Sequence, residues 1–180
     1  MKTSDARVGK QFPTLRNGKV YLWGVKGLLI DTELFHFLEL ELINNFGAKK
    51  SGEILYEAAH KPALELCRNY TDSSIALFLK KFPQGRRKIT EFFEWLVTNR
   101  TGYGVLKLKE YDEKKLRFVF TLKHSAIAKY FKTKEPVCSL FCAQFTAGVE
   151  ALFDRGFIGK ETKCIAKGDP YCEIVIEAIK

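Results

Sequence analysis

The chain has 180 residues, of which 46 % are apolar and 28 % are charged, and its formal net charge is +9. This length favours one folded domain with a continuous core. The basic residues are scattered in short groups without a recognised nucleic-acid motif, so nucleic-acid binding is not indicated as the main role. Fifteen Phe, seven Tyr and two Trp indicate an aromatic interior, which either packs solid or lines a pocket for a flat apolar ligand.

The cellular environment is predicted from the N-terminus and from the cysteine count. Residues 1–19 form a polar leader without the apolar core of a signal peptide, and no apolar run approaches the ~20 residues that span a bilayer. We therefore expect a cytoplasmic protein with reduced thiols. Five cysteines, an odd number, also argue against a fully paired disulfide framework, so the thiols are available as ligands.

The first half of the chain is predicted to be mainly helical. The segment 20–30 reads as extended, and Asp31-Thr32 then offers an N-cap for a helix through Phe46, with Gly47 as its stop. A second, amphipathic helix is predicted over 49–70.

Two breaks interrupt the predicted helices in the next part of the sequence, at Pro62 and at Pro83-Gln84-Gly85. Pro62 lies inside the second predicted helix and should kink or split it. A further helix runs from Asp72 to about Phe82, and another covers 86–99.

The second half of the chain changes to a period of two. Residues 105–122 alternate apolar and polar side chains on both sides of Asp112-Glu113, which predicts a hairpin. A helix is predicted over 137–155, and a second hairpin joins 162–167 to 171–179. The order of elements predicts an α+β fold with an antiparallel sheet, formed as a single domain over residues 1–180.

The last hairpin contains two thiols, in the sequence KETKCIAKGDPYCEI. Cys164 and Cys172 are expected on facing strands, within reach of one ion. Glu161 precedes Cys164 by three residues, so a bend at the strand entrance would bring its carboxylate to the same point. Either Cys138 or Cys142, one turn apart at the start of the preceding helix, can complete a Cys3Glu set for zinc, although buried cysteines also occur for packing alone.

The chain from Leu28 onward resembles the 4-vinyl-reductase domain family. The similarity rests on LLIDTELFHFLELELINNFGAKKSGEILYEAA, the paired apolar hairpins and GKETKCIAKGDPYCEIVIEA. The family occurs in many archaeal proteins and in the phenol-sensing regions of bacterial transcription activators. In those sensors Cys, Glu, Cys and Cys hold a structural zinc, and the matching positions are Cys138, Glu161, Cys164 and Cys172.

This resemblance also implies a fold and a partner. The expected fold is a mostly antiparallel sheet flanked by helices, shared with a subunit family of the TRAPP vesicle-tethering complex and with haem nitric-oxide-sensing domains. Members commonly form homodimers. The second helix departs from the family pattern, because it reads YEAAHKPALE where a typical member has glycines.

The pocket candidates are aromatic residues whose alternative role is solid core. They are Trp95, Phe92, Phe118, Phe120, Phe141 and Phe145. The sequence does not place the polar groups by which an aromatic sensor holds a phenol. None of the three histidines has a nearby Ser or Asp pattern that suggests a nucleophile and its base, so no catalytic residue is predicted.

The leading functional hypothesis is a zinc-stabilised, non-catalytic binding or sensing module for a small hydrophobic or aromatic molecule. One alternative is a tethering or scaffold subunit that binds an acyl chain, as in the TRAPP relatives. The other is a reductase acting on the vinyl group of a tetrapyrrole, as the family's name implies. No nicotinamide fingerprint such as GxGxxG is present to support that reductase.

Overall fold

The computed structural model describes residues 14–16, 19–22, 25–27, 32–70, 91, 94, 97–98 and 102–180. The chain divides into two compact units, Met1–Phe35 and His36–Lys180. In the first unit, three short strands pair antiparallel in the order β1-β2-β3: β1 Thr14–Arg16, β2 Lys19–Leu22 and β3 Val25–Gly27. The predicted extended structure over 20–30 is therefore confirmed where the segment is described, and β1 lies inside the polar leader.

Helix α1 spans Thr32–Tyr70 and is broken at Gly47, whose φ of 76° and ψ of 156° are not helical. The predicted end of one helix and start of the next at this glycine are confirmed, because glycine adopts positive φ without strain. The predicted split at Pro62 is wrong, since the helix continues through it to Tyr70. Pro62 and Ala58, whose carbonyl loses its partner, are both exposed, so water can satisfy that carbonyl.

The helices predicted from Asp72 to Phe82 and over 86–99 fall outside the described residues, apart from four positions. Thr98 and Glu94 are two positions that contact the sheet. The Thr98 hydroxyl oxygen accepts a hydrogen bond from the N–H of Leu106 at 3.0 Å, and Glu94 accepts one from the N–H of Leu108 at 2.9 Å. These side chains satisfy backbone groups on an outer strand of the sheet.

The second unit contains a four-stranded antiparallel sheet in the order β4-β5-β7-β6. Its strands are β4 Val105–Asp112, β5 Arg117–Lys123, β6 Phe157–Lys163 and β7 Cys172–Ala178. The first predicted hairpin is confirmed, and the Asp112 carboxylate closes its turn by accepting the N–H groups of Lys114 and Lys115, both at 3.0 Å.

The last hairpin differs from its prediction in the bounds of its first strand. Strand β6 begins at Phe157, five residues before the expected Thr162, and Ile165–Lys167 form a 3-10 turn instead of a strand. The turn is fixed by Asp169, whose carboxylate accepts the N–H of Cys164 at 2.8 Å, and by Gly168 with φ of 95°. The start of β6 was missed because its inward positions include a glycine and a glutamate, which interrupt the apolar alternation.

Helix α2, Ser139–Phe153, packs against β6 and β7, within the region 137–155 predicted from the sequence. The core between helix and sheet consists of buried aromatic and aliphatic side chains: Leu106, Phe118, Phe120, Leu122, Phe141, Phe145, Ile174 and Ile176. The predicted α+β class with an antiparallel sheet and helices is confirmed. Among the described residues, no helix is both long enough and apolar enough to cross a membrane.

Candidate metal centre

Three elements of the second unit bring four potential metal ligands together. Cys138 is the residue immediately before α2, Glu161 lies on the helix-facing side of β6, and Cys164 follows the end of that strand. Cys172 begins β7, where it pairs with Leu122 of β5. One donor atom from each of the four residues lies within 4.8 Å of all the others.

The cluster is buried and its sulfur atoms are in mutual contact. Cys138, Cys164 and Cys172 have no exposed surface, and Glu161 is 8 % exposed. The Sγ of Cys138 lies 3.4 Å from the Sγ of Cys172, which in turn lies 4.0 Å from the Sγ of Cys164. Three sulfurs and a carboxylate at this spacing are a donor set that fits a thiophilic divalent ion.

The two oxygen atoms of Glu161 have different environments. Oε2 accepts a hydrogen bond from the backbone N–H of Cys138 at 2.8 Å. Oε1 is buried and has no hydrogen-bond partner. A buried carboxylate oxygen without a partner is costly, and a metal ion in the cluster would satisfy it. The residues present therefore fit a bound cation, with Oε1 as the donor atom.

Outer contacts orient the thiol groups. Ser125 Oγ lies 3.6 Å from Cys138 Sγ, and the N–H of Ile165 donates to Cys172 Sγ at 3.4 Å. The Ser125 oxygen also accepts the N–H of Ala128 at 3.2 Å, which leaves its O–H available to the sulfur. Hydrogen bonds of this kind fix ligand orientation around metals.

Negative charge in the metal-free cluster concentrates on one sulfur. Hydrogen bonds from Cys138 and then from Cys172 lower the pKa of Cys164 far below its ordinary value. The hydrogen bond with Cys164 raises the pKa of Cys138. Burial, followed by the charge of Cys164, raises the pKa of Glu161 to about 8. A bound cation would instead favour the charged forms of all four ligands, because it stabilises thiolate and carboxylate together.

Cys142 was the open alternative to Cys138, and the structure places it outside the four-residue cluster. Its N–H donates to the Cys138 carbonyl at 2.9 Å, as expected one helical turn along. The Cys142 side chain faces β6, where a Cβ on Gly159 would lie 3.1 Å from its Sγ. Burial, first of all, raises the pKa of its thiol to about 12, which is typical of an inert packing cysteine.

The aromatic pocket candidates divide into two groups. Trp95 and Phe92 lie outside the described residues. The other four are buried and in ring contact, with centroids 6.2 to 6.4 Å apart in the pairs Phe118–Phe120, Phe120–Phe145 and Phe141–Phe145. Their role as the wall of a ligand pocket stays a prediction.

Sequence reasoning missed several buried acids, and Glu150 and Glu39 are two of them. Glu150 accepts the backbone N–H of Phe157 at 2.8 Å and pairs with His60 Nε2 at 2.9 Å. Glu39, on α1, is 2 % exposed and its Oε2 has no hydrogen-bond partner. The available signal was an acid within the apolar run LFHFLELEL, three residues after a histidine on the same helix face.

No protein-family model matches the chain, and no curated protein matches it in sequence. Several solved structures share its fold. The phenol-responsive sensory domain of the transcription activator PoxR, solved with phenol, has a TM-score of 0.74 and 16 % identity, over 96 % of this chain and 87 % of that one.

Two further structures are similar at comparable identity. A vinyl-4-reductase family protein from Methanocaldococcus jannaschii has a TM-score of 0.53 and 17 % identity, over 86 % of this chain and 85 % of that one. A trafficking protein particle complex subunit 3 from Naegleria fowleri, covalently bound to palmitic acid, has a TM-score of 0.58 and 12 % identity, over 83 % and 95 %. The relation to the 4-vinyl-reductase and TRAPP folds predicted from the sequence is therefore supported at the level of fold.

Proposed function

We propose that the protein is a zinc-stabilised binding or sensing module for a small hydrophobic or aromatic molecule, without a catalytic role. The observation that carries the proposal is the buried cluster of Cys138, Glu161, Cys164 and Cys172. Two observations support it. Glu161 Oε1 is buried without a hydrogen-bond partner, and a solved structure of similar fold is a phenol-responsive sensory domain.

Zinc is the ion that best suits three sulfurs and one carboxylate, since it accepts thiolate and carboxylate ligands in tetrahedral sites. Cys138, Glu161, Cys164 and Cys172 would hold it. When bound, it would supply cross-linking rather than Lewis-acid chemistry, because four protein ligands leave no open position. It would tie the final hairpin to the start of α2.

The ligand is proposed to be apolar because the core facing α2 is aromatic and aliphatic. Apolar burial would supply most of the affinity, with a few polar groups setting orientation. The pocket wall is proposed to include Phe118, Phe120, Phe141 and Phe145.

A homodimer is the proposed assembly, and size-exclusion chromatography with light scattering measures it directly.

Metal content tests the first half of the proposal. Protein purified without chelator should carry about one zinc per chain. Cys172→Ser should lose the metal and unfold at lower denaturant concentration, whereas Cys67→Ser, on α1 outside the cluster, should keep it. Wild-type protein without bound metal, and unable to take up added zinc, would refute this half.

Native mass spectrometry with organic extraction tests the second half. A retained small apolar molecule, or saturable binding across a panel of substituted phenols, supports the module as proposed. A retained acyl chain favours the scaffold alternative, and reduction of a vinyl tetrapyrrole in the presence of an electron donor favours the reductase. Either of these two outcomes would replace the proposed ligand class.

A further inference from the structure

Tyr103 lies on a short segment whose backbone is held against the end of β5. The residues on either side, Gly102 and Gly104, have φ of 75° and 138°, in the region that favours glycine. The approach at Gly104 is also close, because an added Cβ would lie 2.5 Å from the carbonyl oxygen of Lys123. The carbonyl of Tyr103 itself accepts the N–H of Ala126 at 2.9 Å. The backbone therefore fixes the point from which the Tyr103 side chain extends.

The Tyr103 ring is the outermost of three aromatic rings that lead into the core. It stacks on Phe141 of α2 with a centroid distance of 4.4 Å and an interplanar angle of 25°. Phe141 is buried and stacks in turn on the buried Phe145, at 6.3 Å and 20°. Because Tyr103 is only half-buried, rotation of its side chain toward solvent would uncover one face of Phe141.

Gln144 supplies a polar group at the same position. It lies one helical turn after Phe141 on the same face of α2, and its amide N–H donates a hydrogen bond to the Tyr103 hydroxyl. The other polar atom of this amide, Oε1, is buried and has no hydrogen-bond partner among the described residues. A buried acceptor without a partner is unfavourable. The Tyr103 side chain therefore satisfies only half of the Gln144 amide.

We propose that Phe141 and Gln144 form a binding subsite for a hydroxylated aromatic ring, and that the Tyr103 side chain fills this subsite until such a ligand displaces it. The tyrosine side chain ends in a phenol group, so its contacts indicate which chemistry the subsite accepts. These contacts are a ring stacked on Phe141 and a hydroxyl beside the Gln144 amide. The inference rests on the proposed function and deepens it, because it names a ligand class and a residue that selects it.

A free phenolic ligand can make a contact that Tyr103 does not make. The Tyr103 ring is tied to a fixed backbone, whereas an untethered ring can shift until its hydroxyl donates to Gln144 Oε1. The displaced side chain can turn about its χ1 bond without breaking the backbone hydrogen bond from Ala126. The apparent affinity for the ligand is then reduced by the fraction of molecules in which Tyr103 occupies the subsite.

Calorimetric titration with phenol and toluene tests the subsite, because the two molecules are similar in size and only phenol has a hydroxyl. Tyr103→Ala should bind phenol on the order of tenfold more tightly than wild type, since it removes the internal competitor. Gln144→Leu should bind phenol about fivefold more weakly and bind toluene no more weakly than wild type does. Tyr171→Ala is the matched control and should bind phenol like wild type, because Tyr171 is a half-buried tyrosine beside Lys163, outside the subsite.

Fluorine NMR of wild type labelled with 3-fluorotyrosine tests the displacement itself. The Tyr103 resonance is assigned by its loss in Tyr103→Phe, which keeps the ring. Phenol should move this resonance toward its position in the unfolded chain and leave the Tyr171 resonance in place. The measurement needs no truncated variant, so it holds if Tyr103→Ala does not fold, and it separates displacement from the filling of an artificial cavity.

The outcomes separate this inference from the proposed function. Saturable phenol binding by wild type without a shift of the Tyr103 resonance overturns only this inference, because the ligand then binds elsewhere. Saturable binding by Tyr103→Ala and none by wild type overturns the displacement. Equal affinity of wild type for phenol and toluene overturns the role of Gln144. If neither wild type nor Tyr103→Ala binds phenol or any other substituted phenol, the inference and the aromatic ligand of the proposed function are both overturned.

Discussion

Gly159 is a position on β6 where an added side chain would collide with α2, and its replacement tests the link between packing and the metal centre. A Cβ there would overlap Thr146 Oγ1 and would lie 3.2 Å from Thr146 Cβ. Thr146 is fully buried, and its hydroxyl donates to the Cys142 carbonyl at 2.7 Å. Since the buried, hydrogen-bonded Thr146 side chain cannot turn aside, we expect Gly159→Ala to push β6 away from the helix.

These contacts indicate how much Gly159→Ala should lower the free energy of unfolding. Overpacking a filled core costs typically 1–3 kcal/mol, and overlap with a hydrogen-bonded, β-branched side chain places this case near the upper end, at about 3 kcal/mol. The same displacement reaches Glu161, two residues along on the same strand face, whose Oε2 is bound to the N–H of Cys138. We therefore expect Gly159→Ala to lower zinc affinity as well as stability.

Urea unfolding and zinc competition with a colorimetric chelator measure the two effects. The matched control is Gly156→Ala, where the added Cβ meets the far end of the half-exposed Ile179 side chain at 3.0 Å and should cost less than about 1 kcal/mol. Removing the overlapping hydroxyl with Thr146→Ala should restore part of the loss in the double variant. If Gly159→Ala matches Gly156→Ala in both stability and zinc affinity, the packing argument is refuted.

Three further changes have calculable outcomes. His60→Leu leaves the buried Glu150 Oε2 without its partner and should cost about 1–3 kcal/mol in urea unfolding, whereas Lys50→Ala on the exposed surface should change less than about 0.5 kcal/mol. The pKa of Glu39 rises from 4.5 to about 8 on folding, so metal-free wild type loses stability as the pH rises through this window. Glu39→Gln should lack that loss and be more stable at pH 8 by on the order of 3 kcal/mol, and a gap that does not grow between pH 5 and 8 would contradict the burial argument. Phe120→Ala should lower the free energy of unfolding by about 3–5 kcal/mol. A decrease below about 1 kcal/mol would mean that this ring is not packed in the core.

The first hairpin was predictable because every determinant is local. Side chains alternate along β4 and β5, and the turn carries its own hydrogen-bonding residue, Asp112. Gly47 was predictable for the same reason, since one residue type satisfies a positive φ.

The start of β6 was not predictable from alternation, and the reason is its contribution to the site. Its inward positions Gly159 and Glu161 serve the close approach of α2 and the metal cluster rather than an apolar core. Functional positions commonly break local patterns in this way. The split predicted at Pro62 was wrong for a different reason. The effect of this proline depends on solvent access to the carbonyl of Ala58.

The four metal-cluster residues were reached through spacing together with family resemblance, and spacing alone left Cys138 and Cys142 as alternatives. Both lie on one side of α2, and only the position of β6 determines which of them meets Glu161. Glu39 and the His60–Glu150 pair depend on how α1 packs against distant parts of the chain. The His60–Glu150 pair has no periodic signature in the sequence, and Glu39 had only its position within an apolar run, three residues after His36.

X-ray absorption at the zinc edge of purified, metal-loaded protein tests the central claim most directly. The four-residue centre predicts one zinc per chain with three sulfur neighbours at about 2.3 Å and one oxygen neighbour at about 2.0 Å. Glu161→Gln should alter the oxygen shell and leave the three sulfurs in place. A first shell without sulfur, or one dominated by nitrogen and oxygen, would contradict the assignment of Cys138, Cys164 and Cys172 as ligands.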